Sequence, residues 1–207
     1  MTVVPMKHSL APAALGFLLC AVVVTALAEQ SAAAENPLIV KIEGFHAALL
    51  DMMKSTAPRN DKVLSLDENV GALFDVATIS RISLGRTWST LDAEAKAQFV
   101  ARLRQLITVT YVDRFGDFNN QKFVTVGIQE APRGWVVKTE LTRASGGIVP
   151  LDYYFREDKV YNVVADGVSD LSLRRADYSS IIKEQGYEGL LAHIDGSIES
   201  QAGNREP

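Results

Sequence analysis

The stretch that decides the fold runs over residues 123–165 and reads FVTVGIQEAPRGWVVKTELTRASGGIVPLDYYFREDKVYNVVA. Apolar and polar side chains alternate along it with a period of two, which is typical of β-strands that bury one face. Short connections rich in Gly, Pro, Ser and Asp interrupt the alternation and indicate tight turns. The stretch therefore predicts a four-stranded antiparallel sheet with strands at residues 123–128, 135–141, 149–156 and 160–165.

Before this stretch, apolar residues recur at the three- and four-residue spacing of amphipathic helices. The spacing of Ser65 and Glu68 is that of a capping box, which predicts the start of one helix. Asp75 is expected to cap a short helix, and Asp92 is expected to begin the longest one. The region that precedes the sheet is therefore predicted to be helical in several segments.

Helical spacing returns after the predicted sheet. Asp177 is expected to cap a helix that ends at Gly186, and an amphipathic helix follows over residues 187–198. The polar residues 201–207 predict a disordered tail. Helices that lie on one side of an antiparallel sheet make an α+β fold, so residues 35–200 are predicted to be a single α+β domain.

The N-terminus has the order of a secretory signal peptide. Lys7 precedes an apolar run, and small residues then form Ala-x-Ala sites that end at Ala28 and at Ala34. We expect cleavage after Ala34, which makes residues 1–34 the signal peptide and the protein an exported one. An uncleaved anchor helix is the alternative, since the run is near the minimum length for about 30 Å of hydrocarbon.

Composition excludes several kinds of site from the rest of the chain. The one cysteine, Cys20, lies in the signal segment, so residues 35–207 have no disulfide, thiolate nucleophile or cysteine metal ligand. The net charge of −4 is unchanged without residues 1–34, which hold one Lys and one Glu. An acidic balance argues against a nucleic-acid partner and against membrane binding through a basic patch.

No catalytic or metal-binding constellation stands out. Glu43 and His46 could present two metal ligands from one helix, but His46 falls on the apolar face and is interpreted as a packed core histidine. Asp152, in the middle of a strand, is interpreted as a surface cross-strand partner of Lys138 or Glu140. The alternative is that Asp152 acts as the base of an enzyme. We therefore predict no catalytic residue, no metal and no cofactor.

One charge lies in an unexpected place. Arg114 falls inside the apolar stripe of the longest helix, near Ile107. An unpaired guanidinium in an apolar interior is costly, so the side chain needs a partner. A snorkelling arginine that pairs with Asp113 or Asp117 is the favoured interpretation. Contact with a lipid head group at the mouth of a cavity is the functional alternative.

A set of short motifs follows in a fixed order along the chain. These motifs are Leu73-Phe74-Asp75, Ile82-x-Leu84-Gly85-Arg86-x-Trp88, Pro150-Leu151-Asp152-Tyr153-Tyr154-Phe155, the run from Tyr161 to Ser169, and Tyr178-x-x-Ile181-Ile182 with Gly186-Tyr187-x-Gly189-Leu190-Leu191. The ordered set resembles the MlaC (toluene-tolerance auxiliary) family. The resemblance implies a periplasmic lipid-binding protein without catalytic residues. It also implies that the protein shuttles phospholipid between membranes together with an inner-membrane ABC transporter or lipid exporter complex.

Within that family, residues 168–178 resemble the HpnM branch, which is linked to hopanoid export. The phospholipid carriers tend to have an Asn-Tyr-Arg type run at this point, and this chain departs from it. The resemblance therefore implies a hopanoid or a phospholipid as ligand, and we favour a hopanoid.

A lipid carrier requires an apolar cavity between sheet and helices, although the same residues could form a filled core. The protein is expected to be a monomer. The alternative functions are a ligand-free periplasmic adaptor and, less favoured, an enzyme on a similar fold. The residues predicted to bind lipid are Phe74, Ile79, Leu103, Ile107, Tyr111, Arg114, Trp135, Val137, Leu151, Tyr153 and Val163.

Overall fold

One antiparallel sheet with strands in the order β1-β2-β3-β4-β5 forms the centre of the computed structural model, which describes residues 36–203. The four predicted strands are confirmed. A fifth strand of two residues follows an Asp166-Gly167 turn in which both φ angles are positive, 51° and 78°. The strands are β1 (Lys122–Ala131), β2 (Gly134–Thr142), β3 (Ile148–Arg156), β4 (Lys159–Ala165) and β5 (Val168–Ser169).

Six helices accompany the sheet in the described part of the chain, which confirms the α+β fold. They are α1 (Pro37–Lys54), α2 (Arg59–Leu73), α3 (Val76–Leu84), α4 (Thr87–Thr90), α5 (Ala93–Arg114) and α6 (Asp170–Gly203). Helix α5 packs against α2, α3 and α6, and α1 packs against α2 and β1. None of the helices among residues 36–203 is long and apolar enough to cross a membrane.

Side-chain hydrogen bonds mark the start of three of these helices. The carboxylate of Asp75 accepts a hydrogen bond from the N–H of Thr78 at 2.9 Å, and that of Asp92 caps α5 in the same way, as predicted. The predicted helix starts near Ser65 and at Asp177 are wrong, because both residues lie inside longer helices. Helix α6 begins at Asp170, eight residues before the first residue that a cap at Asp177 would give it, and Ser169 Oγ accepts a hydrogen bond from the N–H of Ser172 at 3.1 Å.

The last helix is longer than predicted. Gly186 interrupts it with φ 74° and ψ −177°, as the sequence indicated, but the helix resumes and continues to Gly203. Gln201 belongs to it and accepts a hydrogen bond from Thr110 Oγ1 at 3.1 Å, while the domain bounds of 35–200 stay a prediction. The predicted signal peptide and residues 204–207 lie outside the described residues.

The core lies between the helices and one face of the sheet. Strand register places Val137 opposite Tyr153, and Tyr153 opposite Val163, so these side chains share the inner face. Phe99 and Leu103 of α5 are completely buried. The core is thus built from the strand alternation and the helical stripes that the sequence predicted.

Candidate functional site

A cavity of about 440 Å³ lies between the second half of α5, the inner face of the sheet and the first turns of α6. Its volume is within the range of about 300–1,000 Å³ that is usual for small-molecule sites. On the sheet side, Val149, Val163 and Ala165 contribute short side chains, which leave room above the strands. The inner face is therefore not completely filled by its own helices.

Eight of the eleven predicted site residues line this cavity. They come from four separate parts of the chain, which the fold brings to one place. Their role in binding a ligand stays a prediction. The eight residues are Phe74, Ile79, Ile107, Tyr111, Arg114, Leu151, Tyr153 and Val163.

The structure places the other three predicted residues elsewhere. Leu103 is completely buried in the first half of α5, about two turns before Tyr111. Other helices pack against α5. Val137 is also completely buried. It lies opposite Tyr153 on the neighbouring strand and does not line the cavity. Trp135 is 40% exposed at the beginning of β2, whereas the cavity lies where β2 ends and β3 begins. The periodicity of a strand or helix indicates its buried face but not which positions along it border a cavity, so the sequence did not separate these three residues from the other eight.

Tyr153 forms a fixed part of the cavity wall. Its hydroxyl is 3.0 Å from Nε2 of His46, and the imidazole stacks on the ring of Phe123 with the centroids 4.1 Å apart. Burial lowers the pKa of His46 to about 4, so the imidazole is neutral at pH 7. Burial also raises the pKa of Tyr153 well above its usual value. The interpretation of His46 as a packed core histidine is confirmed.

Tyr111 differs from Tyr153 because its hydroxyl is not engaged. Its ring packs edge-on against Phe45 at 5.2 Å and stacks with Phe115 at 6.0 Å. Within residues 36–203, no group forms a hydrogen bond with the Tyr111 hydroxyl. Burial raises the pKa of Tyr111, with Asp170 raising it further and Arg114 and Arg174 opposing. The phenol therefore stays protonated, and its O–H is a free donor in the cavity wall.

Four charged side chains line part of the cavity, namely Arg114, Arg143, Asp170 and Arg174. Arg114 is exposed at the end of α5, and Arg174 donates to the carboxylate of Asp170 at 3.0 Å and to the hydroxyl of Tyr178 at 3.2 Å. Burial lowers the pKa of Arg174, but Asp170 and Tyr178 raise it by more, so the group remains charged. The cavity thus combines apolar walls with a small group of polar side chains.

Comparison with known proteins identifies the family. A model described as MlaC protein matches residues 45–195. The chain belongs to the MlaC family. A solved structure described as the phospholipid-binding protein from Ralstonia solanacearum, in complex with a phospholipid, is similar with a TM-score of 0.68 and 21% identity. The similarity covers 79% of this chain and 97% of that one. No curated protein matches the chain.

Several polar lining residues of this MlaC-family cavity were not predicted. They include Thr110, Gln121, Asp170 and Arg174. Asp170 and Arg174 were missed because the start of α6 was predicted near Asp177. Their spacing of four residues, which places them on one helix face, was a readable signal.

The candidates for metal binding and catalysis, Glu43, His46 and Asp152, do not line the cavity. Glu43 accepts a hydrogen bond from Thr125 at 3.0 Å, whereas His46 bonds to Tyr153. In residues 36–203, no group of three His, Cys, Asp or Glu side chains is placed to hold a metal ion. Asp152 pairs with Lys138 at 2.8 Å, as the cross-strand interpretation predicted, and does not line the cavity.

Proposed function

We propose that this MlaC-family protein is a periplasmic, non-enzymatic carrier that holds a phospholipid in the cavity described above. The observation that carries the proposal is a mainly apolar cavity of about 440 Å³ with cationic and donor groups in its wall. Apolar walls suit acyl chains, and cations suit a phosphate. The phospholipid bound by the Ralstonia solanacearum protein of the same fold supports this choice of ligand.

The volume of the cavity limits how much lipid it encloses. At about 30 Å³ for each water-sized group, the cavity has room for about 15 such groups, or roughly one acyl chain. Burial of about 15 methylenes contributes about 12 kcal/mol relative to water. A two-chain lipid therefore requires the helices to separate from the sheet, or leaves part of one chain at the opening.

The free energy of lipid transfer also implies that other proteins take part in the transport. A bilayer offers an acyl chain nearly the same gain as this cavity, because both remove the chain from water. The direction of transfer must then come from other components. An inner-membrane ABC transporter, which the family resemblance implies, would supply it.

The phosphate is proposed to contact Tyr111, Arg114 and Arg174. Three guanidinium groups, those of Arg114, Arg143 and Arg174, line the cavity together with one carboxylate, that of Asp170, so the charged lining has a net charge of +2. A phosphodiester carries one negative charge, which this cationic excess attracts. The free Tyr111 hydroxyl supplies an additional donor, and hydrogen bonds to a charged acceptor are stronger than neutral ones.

A hopanoid is the alternative ligand, and the HpnM-like run at residues 168–178 is what favours it. Its rigid rings would lose less conformational entropy on binding than flexible acyl chains. A hopanoid without a phosphate would not need the charge of Arg114. The two ligands therefore make opposite demands on this side chain.

Lipid extraction tests the proposal. The protein is purified from a bacterium that makes both hopanoids and phospholipids, and its bound lipid is identified by mass spectrometry. We expect phospholipid, whereas hopanoid alone would replace the proposed ligand and an absence of lipid would favour the adaptor function.

The contribution of Arg114 is tested separately. Because one charge-assisted hydrogen bond is lost, Arg114→Ala should weaken retention of anionic phospholipid by about tenfold or more. Arg133→Ala is the matched control, since Arg133 is an exposed arginine in the turn between β1 and β2. Equal retention by the two variants would mean that Arg114 does not contact the lipid.

A further inference from the structure

A second hollow, of about 270 Å³, lies on the outside of the fold between the end of α3 and the middle of α6. Three cationic side chains line it, namely Arg86, Arg175 and Lys183. Thr87 and Ser179 add two hydroxyl groups, and no carboxylate is among the lining side chains. The hollow shares no lining residue with the lipid cavity.

Helix geometry explains how the cations come together. Arg175, Ser179 and Lys183 follow one another at intervals of four residues, so they lie on one face of α6. Arg86 enters from the opposite wall, directly after Gly85, whose φ of 55° turns the chain at the end of α3. The Nη2 atom of Arg175 lies 3.8 Å from where a Cβ on Gly85 would stand, so the guanidinium rests against this turn.

These three cations are not used by the fold. In the described part of the chain, none of them forms a salt bridge, whereas Lys41, Arg102, Arg104, Lys138 and Arg174 all do. Like charges that share one hollow repel each other, which costs stability when no anion is present. This local excess contrasts with the net charge of −4 for the whole chain.

The chemistry of the hollow fits a phosphate group. Arginine guanidinium groups match the oxygens of a phosphate with two parallel hydrogen bonds, and a lysine ammonium adds a point charge. The hydroxyls of Thr87 and Ser179 supply further donors. We propose that Arg86, Arg175 and Lys183 form a phosphate-binding site on the surface of the protein. The bound group comes from an anionic lipid headgroup at a membrane surface or from a free phosphate.

Two binding measurements distinguish these sources. Inorganic phosphate is titrated into the purified protein by calorimetry at low salt, and co-sedimentation is measured with phosphatidylcholine vesicles with and without phosphatidylglycerol. The double variant Arg175→Gln, Lys183→Gln removes two of the three cations. The control variant Lys122→Gln, Arg133→Gln removes two exposed cations elsewhere, so the net charge of the two proteins is equal.

We expect the site variant to bind at least about tenfold more weakly while the control binds as the unchanged protein does, since each lost charge-assisted bond is worth about that factor. Loss in the phosphate titration identifies a free phosphate as the source, and loss only with phosphatidylglycerol vesicles identifies the headgroup. Equal binding by the two variants in both measurements overturns the proposal. Both variants change exposed side chains, and melting temperatures no lower than that of the unchanged protein confirm that they fold.

Discussion

The two halves of α5 have the same apolar spacing but different surroundings. In the first half, Phe99 and Leu103 are completely buried, and the ring of Phe99 lies 6.1 Å from that of Tyr178 in α6. In the second half, Ile107 and Tyr111 face the cavity. The apolar stripe of one helix can therefore contribute to a filled core along its first half and to the wall of a cavity along its second half.

The side chains that face the apolar stripe of α5 decide whether it packs into a filled core or borders a cavity. Large aromatic rings of α6, from Tyr178 and Tyr187, fill the space beside Phe99. The sheet opposite the second half presents the shorter side chains of Val149, Val163 and Ala165. Protein interiors are normally close-packed, so the space left there supports the ligand site proposed above.

The largest expected effect comes from truncating one leucine in each region. Leu103→Ala should lower the free energy of unfolding by about 3–5 kcal/mol, because it opens a new void in a filled core. Leu151→Ala removes the same atoms from the cavity wall and should cost at least about 1 kcal/mol less, since its side chain already borders open space. Urea denaturation of the lipid-free variants measures both values.

That pair of variants can also contradict the comparison. If Leu151→Ala costs as much as Leu103→Ala in lipid-free protein, then the cavity closes in solution and the second half of α5 is packed like the first.

The next effect depends on pH. His46 is buried beside the cavity wall with its pKa lowered from 6.5 to about 4, so the unfolded chain binds a proton at a higher pH than the folded protein does. Between these values the unfolded state holds more protons, and stability therefore falls as the pH falls from 6.5 to 4. The loss amounts to about 3 kcal/mol.

His46→Gln isolates this contribution from the carboxylates that titrate in the same range. Gln can retain a hydrogen bond to Tyr153 but does not titrate. The stability difference between the two proteins should change by about 3 kcal/mol between pH 7 and pH 4 in unfolding experiments. A constant difference would show that His46 is protonated in the folded state without penalty.

The sequence predicted the helices, the sheet and the faces that they bury. It did not predict which buried residues lie in the filled core and which border the cavity. Leu103 and Ile107 lie on one helical stripe, and Trp135 and Val137 follow the same alternation as Leu141. No periodic pattern separates the filled positions from the open ones, because that depends on which side chains of distant elements stand opposite.

Other differences had readable causes. The Asp166-Gly167 pair is a strong hairpin signal, and it explains the fifth strand that was not predicted. Ser169 is a favourable N-cap three residues before Ser172, and α6 therefore begins earlier than the start predicted at Asp177. This earlier start of α6 places Asp170 and Arg174 in the first turns of the helix, where they join the lining of the cavity.

Enlarging the same two leucines should separate stability from ligand binding. Leu103→Trp overpacks a filled core and should cost about 1–3 kcal/mol while the cavity remains available. Leu151→Trp places the added rings in the cavity, so we expect little loss of stability and a clear loss of bound lipid. Thermal melting and lipid quantification of the same samples test the two effects together.

The opposite pattern would contradict this division. If Leu103→Trp abolishes lipid loading and Leu151→Trp does not, the ligand lies nearer the first half of α5 than the cavity described here.

The smallest expected effect concerns Asp152, which stands between two cavity-lining residues in the sequence but on the other face of the sheet. Its carboxylate pairs with Lys138 at 2.8 Å, and 41% of the lysine side chain is exposed. Partly exposed ion pairs contribute about 0–1 kcal/mol, because water solvates the charges when the pair is broken. Asp152→Asn should therefore lower stability by at most about 1 kcal/mol and leave lipid loading unchanged. A large loss of loading with normal stability would instead place Asp152 in the binding function, and would show that the sheet face does not separate the site from the surface.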